Sequence, residues 1–372
     1  MSTPLVDRLD CYRRILVTGG AGFIGSAVVR YLLQHTTAQV FNLDKMSYAS
    51  DLSSITTIAG SVQHHQLLRV DLADAEATHH AVAAADPDLI LHLAAESHVD
   101  RSIDSPINFI ESNLLGTFHL LQASLDHWHR LETARRDLFR FHHVSTDEVF
   151  GSLGSTGRFS EATPYAPRSP YSATKAGSDH LVISWHHTFG LPITITNCSN
   201  NFGPWQYPDK LIPVVIHKAL TGQPIPLYGD GLQVRDWLYV DDHVNGLLLA
   251  ATSGQLGRPY CIGGHGETSN LELVTQICSL LDQLVPKAAP YQEQITTVRD
   301  RPGHDRRYSI DSSRISEELG WRPSHPFAHN LRSTVEWYVS HLHWCEQMYA
   351  KSGYQGQRIG TLSQAGVVEL PG

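Results

Sequence analysis

The sequence predicts an α/β protein: a doubly wound parallel sheet of the Rossmann type, followed by a smaller mixed lobe toward the C-terminus. Three observations predict it. Short β-rich apolar runs alternate with helical patterns through the first 200 residues, and strands spaced by helices of this length build parallel sheets. The first strand runs directly into a cluster of glycines and then a helix. After about residue 200 the alternation breaks, and prolines and glycines gather at 201–231.

Residues 14–18, Arg-Ile-Leu-Val-Thr, read as a buried strand, and 26–34 as the helix after its glycines. Residues 40–44 form a second strand and 89–93 another. A helix at 113–125, a strand at 140–145, a long helix at 171–189 and a strand at 193–198 complete the pattern. The charged stretch 126–136 is expected to be a solvated helix end, and 351–372, without periodicity, a loosely held tail. Residues 1–200 then make the dinucleotide domain, with roughly 232–262 crossing back to it, and 201–350 make most of the second lobe.

Composition narrows the function. With 372 residues, 41% hydrophobic and 17% charged, the chain can bury a large core and is neither disordered nor coiled-coil. The 28 basic residues stand against 37 acidic ones, a net charge of -9, which argues against nucleic acid or an anionic membrane as partner. Any phosphate must therefore be held by local basic groups and backbone amides. Residues 1–14 lack an apolar core segment, so no signal peptide is expected, and no apolar run reaches the length of a membrane span. The five cysteines (Cys11, Cys198, Cys261, Cys278, Cys345) are odd in number and scattered, which fits a reducing cytoplasm. Of the 23 histidines, the close ones are adjacent pairs such as His142 and His143; neighbours do not share a helix face, and no metal site is expected.

Gly19, Gly22 and Gly25 follow the first strand with G-x-x-G-x-x-G spacing. Such glycines permit a tight turn, let backbone approach a pyrophosphate, and let helix and strand pack closely. The pyrophosphate then meets the positive end of the helix dipole. Asp44 ends the second strand about 20 residues on, where an acid accepts bonds from ribose hydroxyls and repels a 2′-phosphate. This favours NAD as the cofactor, with Lys45 as the counter-argument, since it could tolerate that phosphate.

Tyr171 and Lys175 open the long helix four residues apart, on one face. A free tyrosine titrates near about 10, and bringing it to about 7 needs roughly 4 kcal/mol of differential stabilisation. A nearby ammonium and a positive nicotinamide both act in that direction. Thr146, Asp147 and Glu148 end the strand before that helix, at the sheet edge where ligands bind. Adjacent residues on a straight strand face opposite ways, so both acids meet one substrate only if the chain turns there. Held together, they repel, and one stays protonated, giving an acid beside a base. The plainer reading is a helix N-cap Asp with a Glu in the first turn.

Seven blocks now carry a resemblance: 17–26 VTGGAGFIGS, 93–102 LAAESHVDRS, 145–149 STDEV, 171–175 YSATK, 197–204 NCSNNFGP, 228–237 YGDGLQVRDW and 300–305 DRPGHD. Over roughly 13–345 the chain resembles the dTDP-glucose 4,6-dehydratase family of extended short-chain dehydrogenase/reductases. Phe202 and Cys261 depart from it, standing where that family usually has Tyr and Asn.

The resemblance implies NAD-dependent dehydration of dTDP-glucose to dTDP-4-keto-6-deoxyglucose: oxidation at C4, loss of water across C5–C6, and hydride return to C6. It implies Tyr171 with Thr146 as the C4 base, Lys175 tuning Tyr171, Glu148 taking the C5 proton and Asp147 protonating the departing hydroxyl. It places Gly19, Gly22, Phe23, Ile24, Gly25, Asp44, Lys45, Ser47, Asp71, Leu72, Leu93, Ala95, Ser97, Ser112, Tyr171, Lys175 and Asn201 on the cofactor. It places Ser97, Thr146, Asn200, Lys210, Leu211, Pro226, Tyr228, Arg235, Asn270, Arg301 and His304 on the nucleotide sugar, for which two arginine forks suit a diphosphate. A homodimer is also implied, since that family bundles the corresponding helices between subunits. Here those helices carry the apolar residues Phe118, Leu120, Leu121, Leu181, Val182, Ile183 and Trp185 in excess of one core face. A nucleotide-sugar epimerase or decarboxylase of the same superfamily, and a non-catalytic NAD-binding regulator, are the alternatives.

Overall fold

Seven parallel strands form the central sheet of the computed structural model, which describes residues 4–58, 61–300 and 303–353. They are β1 (Arg14–Thr18), β2 (Gln39–Leu43), β3 (His65–Leu68), β4 (Leu89–His92), β5 (Arg140–Thr146), β6 (Ile193–Cys198) and β7 (Pro259–Ile262). Their order is β7-β6-β5-β4-β1-β2-β3, so the chain winds outward from β1 in one direction and then, from β4, in the other. The switch lies between β1 and β4, and ligands of open α/β sheets bind beyond the strand ends there. The short edge strand β3 was not anticipated. Its His-Gln-Leu-Leu run is half-exposed and lacks the apolar continuity of the inner strands.

Parallel neighbours require crossovers, and the helices that supply them cover both faces. On one face α1 (Phe23–His35) packs with a later helix, Val240–Ser253; on the other lie α2 (Ala75–Ala85), α3 (Gly116–Arg130) and α4 (Pro170–Phe189). Strand alternation sorts the core: Ile15 and Val17 meet Val28, Leu32 and Leu247, whereas Leu16 meets the side of Val82, Leu120 and Val182. Each such buried aliphatic contributes about 1.5–3 kcal/mol, and truncating one to alanine costs roughly 2–5. The helix expected at 113–125 begins as a π-helical turn, Ile110–Leu115, before α3. Its Asn113 accepts the Glu96 amide at 2.8 Å and donates to Glu96 O and Thr174 Oγ1, tying the β4 loop to α4.

The stretch 126–136 is only in part the solvated helix end its charge suggested: α3 ends at Arg130 with His129 and Arg130 exposed. A second helix, Thr133–Leu138, folds back; Leu131 is buried, and Arg135 pairs with Asp86 at 3.0 Å and Asp88 at 2.8 Å.

Beyond β6 the chain builds a lobe of short strand pairs: Asn200–Phe202 with Trp237–Tyr239, Ile225–Tyr228 with Ile295–Val298, and Val234–Arg235 with Thr268–Ser269. Its core, including Ile212, Val215, Leu273, Ile277 and Val335, is separate from the two around the sheet. The helix Val240–Ser253 and strand β7 return to the sheet. Phe202 is buried in the lobe core and Cys261 within β7. Of the tail expected to be loose, 354–372 lie outside the described residues. Among those described, no helix is long and apolar enough to cross a membrane.

Candidate active site

The loops beyond β1, β2, β4, β5 and β6 enclose a cavity of about 320 Å³. Its first wall is the glycine turn. Gly19 has φ +70°, and a Cβ there would stand 2.7 Å from the Ala94 backbone; a Cβ at Gly25 would stand 2.1 Å from Gly19 O. Gly22 caps the start of α1 with no side chain bonding its amides, and Phe23 and Ile24 line the cavity behind it. Open amides on a helix N-terminus, approached by glycine alone, fit a pyrophosphate.

Asp44 is buried at the end of β2 and accepts from the Ala21 amide at 3.0 Å, the Met46 amide at 2.8 Å and Ser50 Oγ at 2.9 Å. A carboxylate has about four acceptor positions, so these bonds aim it without saturating it. Lys45, the counter-argument for a 2′-phosphate, pairs with Glu96 at 3.0 Å. Burial lowers its pKa, but Glu96, Asp71 and Asp44 outweigh that and raise it, so the ammonium is surrounded by carboxylates.

Every residue assigned to the cofactor lines this cavity, as do the five assigned to catalysis. Of the residues assigned to the sugar nucleotide, Ser97, Thr146, Asn200 and Lys210 line it, with Lys210 Nζ donating to Ser97 O at 3.2 Å. Leu211, Pro226, Tyr228, Arg235, Asn270 and His304 do not. Most of them gather on the adjoining lobe: the Asn270 amide donates to Gln233 O at 3.0 Å, Gln233 Nε2 to Asp300 Oδ2 at 2.9 Å, and His304 Nδ1 lies 2.6 Å from that carboxylate's other oxygen. Arg235 stacks 4.4 Å over the Tyr308 ring and donates to Asp305 O. Arg235 also acts on Asp147, and Glu148 on Tyr308, so this group adjoins the acidic end of the cavity. Arg301 lies outside the described residues.

The chain does turn at the two acids. Thr146 leaves β5 extended and its Oγ1 accepts the Glu148 amide at 3.2 Å, starting a 3₁₀ turn, Asp147–Phe150. The N-cap is therefore Thr146, not Asp147, and both carboxylates reach the cavity. Asp147 is 1% exposed, and its Oδ2 has no hydrogen-bond partner among the described residues. Burial, then Glu148 and Asp236, push its pKa well above the carboxylate range, despite Arg235. This environment favours the protonated acid at Asp147.

Tyr171 is placed by the start of α4, where Ser169 and Ser172 form a capping box and Pro170 opens the first turn. The expected fall in its pKa combines Lys175 with a positive nicotinamide; the protein's own groups act the other way. Burial, Glu148, Cys198 and Asp147 push it well above 10, opposed by a hydrogen bond from Thr146. Desolvation and two neighbouring acids dominate, so the protein's own groups favour the phenol. Lys175 Nζ donates to Val144 O at 2.9 Å.

Sequence reasoning missed Tyr48, Glu96, Cys198, Gln206 and Asp209, which also line the cavity. The position of Cys198 at the end of β6, and of Glu96 in the loop after β4, could have flagged them. Tyr48 and Asp209 meet at 3.2 Å from distant loops, and no local signal marks that. No group of three His, Cys, Asp or Glu able to hold a metal occurs among the described residues.

A glycine turn on a helix N-terminus, an acid closing the second strand and a buried Tyr-x-x-x-Lys pair define a dinucleotide-dependent short-chain dehydrogenase site, here with two extra carboxylates. The chain belongs to the GDP-mannose 4,6 dehydratase family, whose model matches residues 16–334. It is 50% identical over 361 residues to the dTDP-glucose 4,6-dehydratase of Shigella flexneri, covering 93% of this chain and 100% of that one. Two solved dTDP-glucose 4,6-dehydratases share the fold, each covering 90% of this chain and 99% of theirs. The enzyme of Streptomyces venezuelae, with NAD bound, has a TM-score of 0.81 at 41% identity, and that of Bacillus anthracis, in complex with NAD, 0.80 at 39%.

Proposed function

We propose that the protein is an NAD-dependent hydro-lyase that converts dTDP-glucose to dTDP-4-keto-6-deoxyglucose and water. The observation that carries this reading is the Thr146 turn, which sets Asp147, whose burial favours the protonated acid, and Glu148 in the same cavity as Tyr171. An epimerase needs a tyrosine base but no such pair of acids, and a regulator needs neither.

NAD, when bound, supplies the hydride acceptor for C4 and the donor for C6. The α1 N-terminus would hold its pyrophosphate and Asp44 its adenosine ribose, while Lys45, paired with Glu96 and near Asp71, is committed to carboxylates rather than to a 2′-phosphate. Tyr171, with Thr146 bonded to its oxygen, takes the C4 hydroxyl proton. The C4 ketone acidifies C5–H, and Glu148 removes that proton. Asp147 delivers its proton to the C6 hydroxyl, which leaves as water. Glu148 is placed to return the proton to C5 once C6 is reduced. General acid and base groups each contribute about 100- to 10,000-fold.

We further infer that residues 1–200, with 232–262 returning, form the cofactor body, and 201–350 the sugar-nucleotide lobe. Arg235 supports the lobe's part: it stands in the lobe strand Val234–Arg235, ahead of the returning helix Val240–Ser253, and its charge acts on Asp147 at the acidic end of the cavity. A homodimer is supported by exposed apolar residues on the π-helical turn, α3 and α4: Ile110, Leu115, Phe118 and Phe189. Of the residues expected on that face, Leu120, Leu121 and Val182 instead pack under the sheet. Five free thiols, four of them buried, support the cytoplasm as its compartment. Incubation with dTDP-glucose should yield a 4-keto product without standing NADH; an epimerised hexose or no product overturns the assignment.

A further inference from the structure

Three ionisable side chains stand four residues apart on one face of α4: Tyr171, Lys175 and Asp179. The first two line the cavity, whereas Asp179 is fully buried behind them, between the helix and the sheet. Its Oδ2 accepts from Ser145 Oγ at 2.7 Å, Tyr165 OH at 2.8 Å and Asn197 Nδ2 at 3.3 Å. Its Oδ1 meets His143 Nε2 at 3.1 Å. A carboxylate can only accept, which assigns a proton to that ring nitrogen.

Burying a carboxylate costs several kcal/mol unless donors and a counter-charge compensate. Here burial alone would raise the pKa of Asp179, but His143, Lys175 and Ser145 outweigh it and hold it below the ordinary value. The cation of this network is Lys175, whose Nζ stands 3.4 Å from the same His143 nitrogen. Burial pulls Lys175 down, and Asp179 is the first of the groups opposing that pull. An ammonium assists a phenolate only if it is still charged when the phenol ionises, and an unpaired buried lysine loses its charge early.

We propose that Asp179 is a positioning residue for the redox step: its buried carboxylate is the counter-ion that keeps Lys175 an ammonium beside Tyr171. The inference rests on Tyr171 as the proton acceptor at C4. The other titratable groups facing this column are His92 on β4, His143 on β5, Cys198 on β6, Asp147 and Glu148 on the 3₁₀ turn, and Tyr165 ahead of α4. His143, buried and with its pKa held at about 4, contributes no charge near neutrality.

The test is Asp179→Asn, which keeps the shape and removes the charge. The acid limb of kcat against pH should move up by about one unit, a roughly tenfold loss at neutral pH that recovers as pH rises, with KM for dTDP-glucose unchanged. A loss equal at every pH marks a merely structural role and overturns the proposal. A second readout does not need turnover: the tyrosinate absorbance of the NAD-loaded protein, each form read against the same form carrying Tyr171→Phe. The Tyr171 midpoint should rise in Asp179→Asn; an unchanged midpoint, or the fall that losing a nearby negative charge alone would cause, overturns it. If Asp179→Asn does not fold, Tyr165→Phe, which removes one donor from the carboxylate, should shift the midpoint the same way by a smaller amount. A wild-type protein that makes no keto sugar counts against the dehydratase reading, while the absorbance titration still decides Asp179.

Discussion

Thr146 Oγ1 accepts the backbone N–H of Glu148 at 3.2 Å, and this bond takes the chain out of β5 and into a 3₁₀ turn. Had β5 run straight on, Asp147 and Glu148 would face opposite sides of the sheet. With the turn, one strand end presents a hydroxyl and two acids to the same cavity, and burial favours the protonated form of Asp147.

That placement should cost stability, and the sign follows from Asp147. An unfolded Asp titrates near about 4, whereas burial, then Glu148 and Asp236, hold the folded group well above its ordinary value. Between the two values the folded protein keeps a proton that the unfolded chain has lost, so stability from this group is full at low pH and declines as pH rises. Asp147→Asn should therefore raise Tm, and by more at about pH 8 than at about pH 4, with about 2–4 °C for each kcal/mol relieved. Calorimetry giving a lower Tm for the variant at pH 8 contradicts the burial argument.

A cofactor preference is expected from Asp44. NAD should support turnover far better than NADP in the wild type, because three protein bonds aim the Asp44 carboxylate at the ribose and Lys45 is committed to Glu96. Asp44→Ala should reduce that preference, read as the ratio of kcat/KM for the two cofactors. Equal activity of the wild type with both cofactors removes the role given to Asp44.

The exposed apolar face of α3, α4 and the π-helical turn should be covered by a second copy of the chain. Solution scattering at micromolar concentration should give twice the 41.3 kDa chain mass, and Phe118→Glu should shift it toward monomer. A monomeric wild type refutes the dimer.

Much of this site was legible because its signals are local. Gly19, Gly22 and Gly25, Asp44, and the Tyr171–Lys175 spacing each follow from a turn, a strand end or a helix period. The strand β3 was not legible, because a half-exposed edge strand needs no apolar run. Leu120 and Leu121 look the same in sequence as Phe118, and only the docking of α3 on the sheet decides which are buried. Burial and Glu148, which raise the Tyr171 pKa against the ammonium and nicotinamide expected to lower it, depend on packing that the helix spacing does not show. Arg235, Asn270 and His304 come together through strand pairs that join distant segments, which spacing cannot show.

The measurement that tests the division of labour most directly is exchange of the C5 hydrogen with deuterated solvent, followed together with single-turnover absorbance of NADH. Tyr171→Phe should accumulate neither NADH nor keto sugar, because C4 is never oxidised. Glu148→Gln should oxidise C4 and stall, with NADH standing and C5 unexchanged. Asp147→Asn should form NADH and exchange C5 while losing water about 100- to 10,000-fold more slowly. Wild-type dehydration rates in both Asp147→Asn and Glu148→Gln contradict the account, and leave the two carboxylates as no more than the first turn of a helix.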